Sequence, residues 1–347
     1  MIKILTLIIL FYHIVAMIFV IFKFLSIGKL KIRSAKYKRV SILIPARNEE
    51  ENLPKLLNSL IDLNYENYEV LVYDDLSEDR TYEVAKRFEN EKIKVIKGNN
   101  KPTGWIGKNY ALFNLVNYAS GDILLFLDAD VIIKDKDILR KISSIIENNV
   151  IITGFGKIEG SGRSVLSVIP FLFSQFPLNA GVNGQFWAIL KEDYRKYNLH
   201  FIFRDEVLED VKIGFFLFFK GFKIKFYDLT SVFSVSMYKN ISDFIEGLTK
   251  NSFSFFGKKL TPIAVSLYFV FFLLPFLFIF KRDFFVISCI ILINKLLSDI
   301  KHGFSILHTI LAPFEILVFG AIILRSWFFA IRREIYWKGR KIYLYSL

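Results

Sequence analysis

Residues 4–22, "ILTLIILFYHIVAMIFVIF", carry a single strongly polar side chain, His13. As a helix this run is long enough to cross a hydrocarbon core of about 30 Å. The segment behind it, "KFLSIGKLKIR", has no small-residue cleavage site, so the run reads as an anchor and not as a removable leader. Residues 262–280, "PIAVSLYFVFFLLPFLFIF", make a second span. Residues 304–331 make a third, broken among titratable residues only by His308, Glu315 and Arg325. Between them "FFVISCIILI" (284–293) is short for a crossing, and 284–298 reads as interfacial or re-entrant.

These runs account for a composition that is 53% hydrophobic and 17% aromatic over 347 residues, above that of a soluble protein. The stretch 38–235 has ordinary globular composition. The predicted organisation is an N-terminal transmembrane helix (1–27), a globular domain (38–235), an interfacial amphipathic helix (236–260), a C-terminal transmembrane region (261–331) and a basic cytoplasmic tail (332–347). "NISDFIEGLTKNSFSFFGKK" (240–259) mixes aromatic, apolar and basic residues just before a span, as an interfacial helix does.

The net charge of +13 is placed rather than spread. Seven basic residues and no acidic one lie from Lys23 to Arg39, and a second basic cluster runs from Arg332 to Lys341. Basic flanks of spans mark the cytoplasmic face and meet anionic lipid. This predicts a membrane partner, no nucleic acid, and an even number of crossings between the clusters. Cys289 is the lone cysteine, which excludes an internal disulfide.

Within the globular stretch, short apolar runs alternate with helical patterns. "VSILI" (40–44), "YEVLVYDD" (68–75), "KIKVIKG" (92–98) and "GDILLFLDAD" read as strands. "NEEENLPKLLNSLIDL", "DRTYEVAKRFEN" and "NYALFNLVNYAS" read as the helices between them. The alternation predicts an α/β fold with a mostly parallel sheet covered on both faces. Ligands of such sheets bind beyond the carboxyl ends of the strands. Three of these ends carry polar groups: "PARNE", "YDD" and "DAD".

That edge suits a phosphorylated ligand. In extended chain Asp128 and Asp130 point to one side and can converge on Mg²⁺ or Mn²⁺. Such a cation neutralises a diphosphate leaving group. In "GWIGKNYAL", Gly104 and Gly107 allow close backbone approach and Lys108 can reach a phosphate. Asp74 and Asp75 can accept hydrogen bonds from a base or ribose, and capping of the next helix is their structural alternative. Glu209 and Asp210 head an apolar helix. One of them can act as general base, while helix-terminus charge alone would also account for both.

Taken in order, "VSILIPARNEEENL", "VLVYDDLSEDRT", "GKNYAL", "GDILLFLDADV" and "LEDVKIGFFLFFKGFKI" resemble family 2 glycosyltransferases, the inverting enzymes of the GT-A fold, over about residues 38–235. "PTGWIGKNYAL", "NGQFWAILKEDYRKY", His200 ahead of "VLEDV", and "WKGRKIY" are similar to the membrane-bound members associated with carotenoid and hopanoid lipids. The resemblance implies a Rossmann-like GT-A domain in which Pro45, Ala46 and Glu49 line the nucleoside pocket and Asp74 or Asp75 reads the base. Lys108 would contact phosphate, and Asp128 and Asp130 would hold the metal, with Asp128 also facing sugar or ribose. Asp210 would be the catalytic base, and Trp337 and Arg340 would close over the diphosphate.

Three departures stand out. Leu76 replaces the usual glycine after the paired aspartates, Asn198 and Leu199 replace the subgroup's glycine pair, and the Q-x-x-R-W signature of processive synthases is absent. The implied activity is metal-dependent, inverting, non-processive transfer from a nucleotide-sugar, a UDP-sugar foremost, to a hydroxyl or phosphate of a lipid acceptor at the cytoplasmic membrane face. A polyprenyl-phosphate or polysaccharide-assembly transferase is the alternative activity, and a nucleotide-sugar-binding scaffold the alternative without turnover. A haloacid-dehalogenase-type phosphotransferase would place its D-x-D on the first strand, whereas here three strands precede it.

Overall fold

A computed structural model describes residues 2–33, 38–160, 163–175, 181–238, 240–252, 254, 257–332, 335–338, 340 and 341. Lys239, Phe253, Phe255 and Phe256 of the expected interfacial segment lie outside the described residues, as do Arg333, Glu334, Gly339 and 342–347 of the expected tail.

Helix α1 (Ile2–Ser26) leads to the first strand–helix units: β1 (Val40–Ala46), α2 (Leu53–Ile61), β2 (Tyr68–Asp74), α3 (Thr81–Lys86), β3 (Ile93–Lys97), α4 (Gly107–Tyr118) and β4 (Ile123–Leu127). Beyond β4 come β5 (Val131–Ile133), α5 (Ile138–Ile145), β6 (Val150–Phe155), β7 (Lys157–Glu159), α6 (Arg163–Leu166) and α7 (Val168–Ser174). The domain closes with β8 (Phe186–Leu190), α8 (Lys191–Tyr197), α9 (Leu199–Ile202), α10 (Glu209–Phe219), β9 (Lys223–Asp228) and β10 (Phe233–Ser236).

The main sheet has the order β3-β2-β1-β4-β8-β6-β9, and β8 alone runs against the rest. A smaller sheet, β5-β10-β7, lies beside it. The pleat sorts the strand residues into two cores. Ile123, Leu125 and Leu127 of β4 face one core with Leu53, Leu56, Leu57 and Leu60 of α2, while Leu124 and Phe126 face the other with Leu112 and Leu115 of α4. Burial on both faces explains why β4 is apolar at every position.

The helical part continues with α11 (Ile241–Ser252), α12 (Gly257–Tyr268), a π-turn at Phe269–Leu273, α13 (Leu274–Leu277), α14 (Arg282–Lys301), α15 (Ile306–Ile310) and α16 (Ala312–Arg332). A two-stranded hairpin, β11 (Tyr336–Trp337) and β12 (Arg340–Lys341), follows. Among the described residues three helices are long and apolar enough to cross a membrane: Lys3–Ser26, Lys259–Leu277 and Ala312–Arg332. The span expected at 262–280 therefore begins earlier, and the run at 304–331 divides into α15 and α16. The segment expected to be interfacial, 284–298, lies within α14, which packs along α1. Lys301 at its end donates to the carbonyls of Phe24 (3.2 Å) and Ile27 (2.5 Å) at the end of α1.

Two polar features inside this apolar part have local causes. Pro275 has no N–H with which to bond the carbonyl of Phe271. His13, the polar exception in the first run, donates to that carbonyl from Nε2 at 3.0 Å. Lys295 is fully buried but is held by Asp299 (2.6 Å), Ser167 (2.7 Å) and Glu315 (3.3 Å), which ties α14 and α16 to the loop between α6 and α7.

Candidate active site

The carboxyl ends of β1, β2 and β4 lie side by side, so "PARNE", "YDD" and "DAD" meet at one edge, joined by the N-termini of α4 and α10. At its centre is Lys108, in the first turn of α4. Its ammonium pairs with Asp128 at 2.8 Å and Glu209 at 3.3 Å. Burial works against this charge, yet Asp128, Glu209 and Asp210 together hold the lysine well above its usual value. Lys108 is thus shared between two carboxylates of the edge.

The D-x-D stretch departs from the extended chain expected of it. The strand stops at Leu127, and the Val131 N–H returns to the Asp128 carbonyl at 3.3 Å, so Asp128, Ala129 and Asp130 form a turn. The two carboxylates still approach each other. Burial raises Asp130 well above the usual carboxylate range, and Asp128 and Glu49 raise it further. Asp130 Oδ1 is buried without a hydrogen-bond partner. A pair of hard oxygens, one of them unsatisfied, fits a divalent cation that takes its other ligands from water or a diphosphate. Among the described residues no cluster of three or more His, Cys, Asp or Glu could hold a metal unaided.

At the β2 end the two aspartates differ. Among the described residues Asp74 Oδ2 accepts only the Ser77 N–H, at 3.4 Å, and its Oδ1 is buried without a partner. Asp75 lies against the start of α4, where a Cβ on Gly107 would overlap its Oδ2. This close approach is what the glycine permits. Burial raises Asp75 in spite of Arg340, whose Nη1 lies 3.1 Å from Oδ1, and of Arg47. Neither aspartate caps α3, because Asp79 accepts the Thr81 N–H at 2.9 Å instead. Leu76, where a glycine was expected, adopts the left-handed conformation with φ 53°. Its carbonyl receives Arg47 at 2.5 Å and Arg340 at 3.4 Å.

At the β1 end, Pro45 is half-buried, whereas the Ala46 methyl belongs to the core and leaves only backbone toward the edge. Glu49 pairs with Lys338 of the hairpin, which also donates to the Arg47 carbonyl at 2.7 Å. The hairpin thus reaches the β1 and β2 ends of the edge through Lys338 and Arg340. Trp337 has the Lys250 ammonium 4.6 Å from its ring centre.

Glu209 and Asp210 are the first two residues of α10. Burial pushes Glu209 up to about 7 despite Lys108, with Asp210 and Asp128 adding to the rise. Asp210 is also raised, chiefly by burial. Its Oδ2 accepts the Gly184 N–H at 2.6 Å and its Oδ1 its neighbour Val211 N–H at 2.9 Å, which fixes the carboxylate while leaving it more open than Glu209. Asn109 positions the approach to this pair. Its amide donates to the carbonyls of Phe203 (2.9 Å), Arg204 (3.2 Å) and Glu206 (2.9 Å). Beneath the site His200 is buried, and burial brings it down to about 3, so it is neutral. It bonds the Tyr194 hydroxyl at 2.7 Å next to the stacked Phe126 and Trp187.

Arg47, Asn109, Gly184, Lys250 and Lys338 were not singled out from sequence. Arg47, Asn109 and Lys338 sit inside quoted motifs and could have been found there. Gly184 and Lys250 also lie inside quoted stretches, but nothing around either one points to the site.

Residues 41–207 match the family described as "Glycosyl transferase family 2". A 4,4'-diaponeurosporenoate glycosyltransferase of Staphylococcus haemolyticus is 45% identical over 103 residues, 30% of this chain and 27% of that protein. The Staphylococcus aureus protein of the same name is 34% identical over 109 residues, 31% of this chain and 28% of its own. The chain thus matches little more than a quarter of the length of these relatives. Among solved structures, a mannosyltransferase from Pyrobaculum calidifontis in complex with GDP-Man and Mn²⁺ superposes with TM-score 0.58 at 13% identity, over 95% of this chain and 99% of that one. That likeness establishes the GT-A fold.

Proposed function

We propose that the chain works as a membrane-attached glycosyltransferase of family 2, the family to which its residues 41–207 belong. It would move a sugar from a nucleotide-activated donor to an oxygen of a lipid acceptor. The observation that carries this reading is the convergence at one sheet edge of a buried unpartnered carboxylate oxygen (Asp130), its neighbour Asp128, a lysine (Lys108) and a fixed carboxylate (Asp210). The mannosyltransferase of the same fold holds GDP-Man and Mn²⁺. The staphylococcal relatives, by their names, act on a diaponeurosporenoate, and the apolar helices here fit an acceptor of that lipid kind.

In this reading Asp128 and Asp130 would hold Mg²⁺ or Mn²⁺, which when bound neutralises charge on the departing diphosphate. The chain's own residues do the rest. Asp75 and Glu49, braced by Arg340 and Lys338, border the nucleoside, with a UDP-sugar the first donor to try. Lys108 balances the carboxylates around the sugar. Asp210, aimed by Gly184 and Val211, takes the proton of an acceptor hydroxyl as its oxygen attacks the anomeric carbon from the face opposite the diphosphate. A single displacement of this kind inverts that carbon.

The test is thermal stability of the full chain with nucleoside diphosphates, with and without Mn²⁺. A bound ligand at 100 times its Kd adds about 2.7 kcal/mol. Selective stabilisation by one diphosphate is expected, and its metal-dependent part should vanish in Asp130→Asn, which keeps shape while removing a hard ligand. Indifference to every nucleoside diphosphate would overturn the proposal.

A further inference from the structure

Lys250 lies near the end of α11, the helix that packs against α16 and β11 and leads within five residues into the span of α12. It is half-buried, with its ammonium over the Trp337 ring. Around the site Lys108 pairs with Asp128 and Glu209, and Lys338 pairs with Glu49. Lys250 differs. Among the described residues no carboxylate lies within ion-pair distance of it, although Lys108, Glu209, Asp128 and Lys338 are near enough to act on its charge. A partly buried ammonium without an anion is costly, and an aromatic face offsets only part of that cost.

The missing anion belongs to something that enters the site. The nucleoside end is at Asp75 and Arg340, and the diphosphate end at Asp128 and Asp130. Lys250 lies close to the carboxylate cluster, on the helix that leads into the apolar helices, where the head of a lipid would sit. Building on the glycosyltransferase reading, we propose that Lys250 forms an anion-binding subsite for the acceptor. It receives a carboxylate or phosphate oxygen of an acidic lipid whose hydroxyl faces Asp210. Burial together with Lys108 brings the lysine down to about 8 in the absence of such a partner, against the pull of Glu209 and Asp128.

The test uses the full chain in neutral detergent at pH 7, titrated with dodecyl phosphate, laurate and dodecanol, and separately with UDP and GDP plus Mn²⁺. The wild type should bind at least one of the two anionic amphiphiles ten times more tightly than dodecanol. Preference for one of them identifies the oxyanion as phosphate or carboxylate. Lys250→Gln should lose that tenfold preference with its nucleoside diphosphate affinity intact, and Lys250→Arg should keep it. Equal binding of all three amphiphiles by the wild type would overturn the subsite. So would a Lys250→Gln variant that loses nucleoside diphosphate affinity while its amphiphile preference persists, since the lysine would then serve the donor. Failure of the wild type to bind UDP or GDP, with the anion preference present, would remove the glycosyltransferase reading and leave the subsite standing.

Discussion

The two carboxylates at the head of α10 are adjacent yet chemically distinct. Successive residues on a helix point about 100° apart, so one turns to the lysine and the other to the cleft. Asp210→Asn is expected to keep donor affinity and to lose transfer by about 10² to 10⁴, the range for a missing general base. Glu209→Gln should cost much less. Single-turnover transfer beside donor affinity separates the outcomes, and full transfer by Asp210→Asn would move the base elsewhere. Glu209 also leaves a mark on stability. Its folded value, about 7, lies above that of the unfolded chain, so the native state binds the extra proton. Its contribution is therefore fully present below about 4.3, the ordinary glutamate value, and is lost as pH rises through 7. The wild type minus Glu209→Gln difference in Tm should fall from pH 5 to pH 8, and a flat difference would contradict the raised value.

At the scale of elements, the glycine at the start of α4 and the π-turn between α12 and α13 make separate predictions. Gly107→Ala forces its Cβ onto Asp75, so nucleoside diphosphate affinity should drop while the fold persists, as circular dichroism would report. His13→Phe strands the Phe271 carbonyl and should cost about 1–3 kcal/mol, the penalty for a buried acceptor left unpaired. Unfolding in detergent measures it, and an unchanged midpoint would mean that the carbonyl finds another donor. Much of this level was legible in the sequence. The strands of the first half announce themselves as apolar runs, and the polar "DAD" after β4 marked the edge, because a parallel sheet confines ligands there. What escaped depended on chain reversal. Hydropathy does not say where α12 begins, and the division of 304–331 into α15 and α16 is marked by Pro313 in the first turn of α16 and not by hydropathy. Nor could any window of sequence bring Lys250 to Trp337, or Arg340 to Asp75, across the intervening domain.

At the scale of the whole molecule, the hairpin fixes a parity. Lys338 and Arg340 touch Glu49 and Asp75, so if the apolar helices cross a bilayer the chain must return to the side from which it left the globular domain. The number of crossings between them would then be even. Cysteines introduced at Lys31 and Lys341 should resist impermeant reagents added to intact cells. A cysteine replacing the fully exposed Phe280, between α13 and α14, should react. Labelling at Lys341 without labelling at Lys31 would break the parity. The same hairpin sets a schedule for biogenesis. A ribosome releases the sheet edge long before it releases residues 336–341, and if the intervening helices span a bilayer the hairpin can reach that edge only once they have been threaded into it. A nascent chain stalled before α16 would hold its carboxylates without the cations that brace the nucleoside end. On the glycosyltransferase reading, donor binding would therefore wait until the intervening helices are in place.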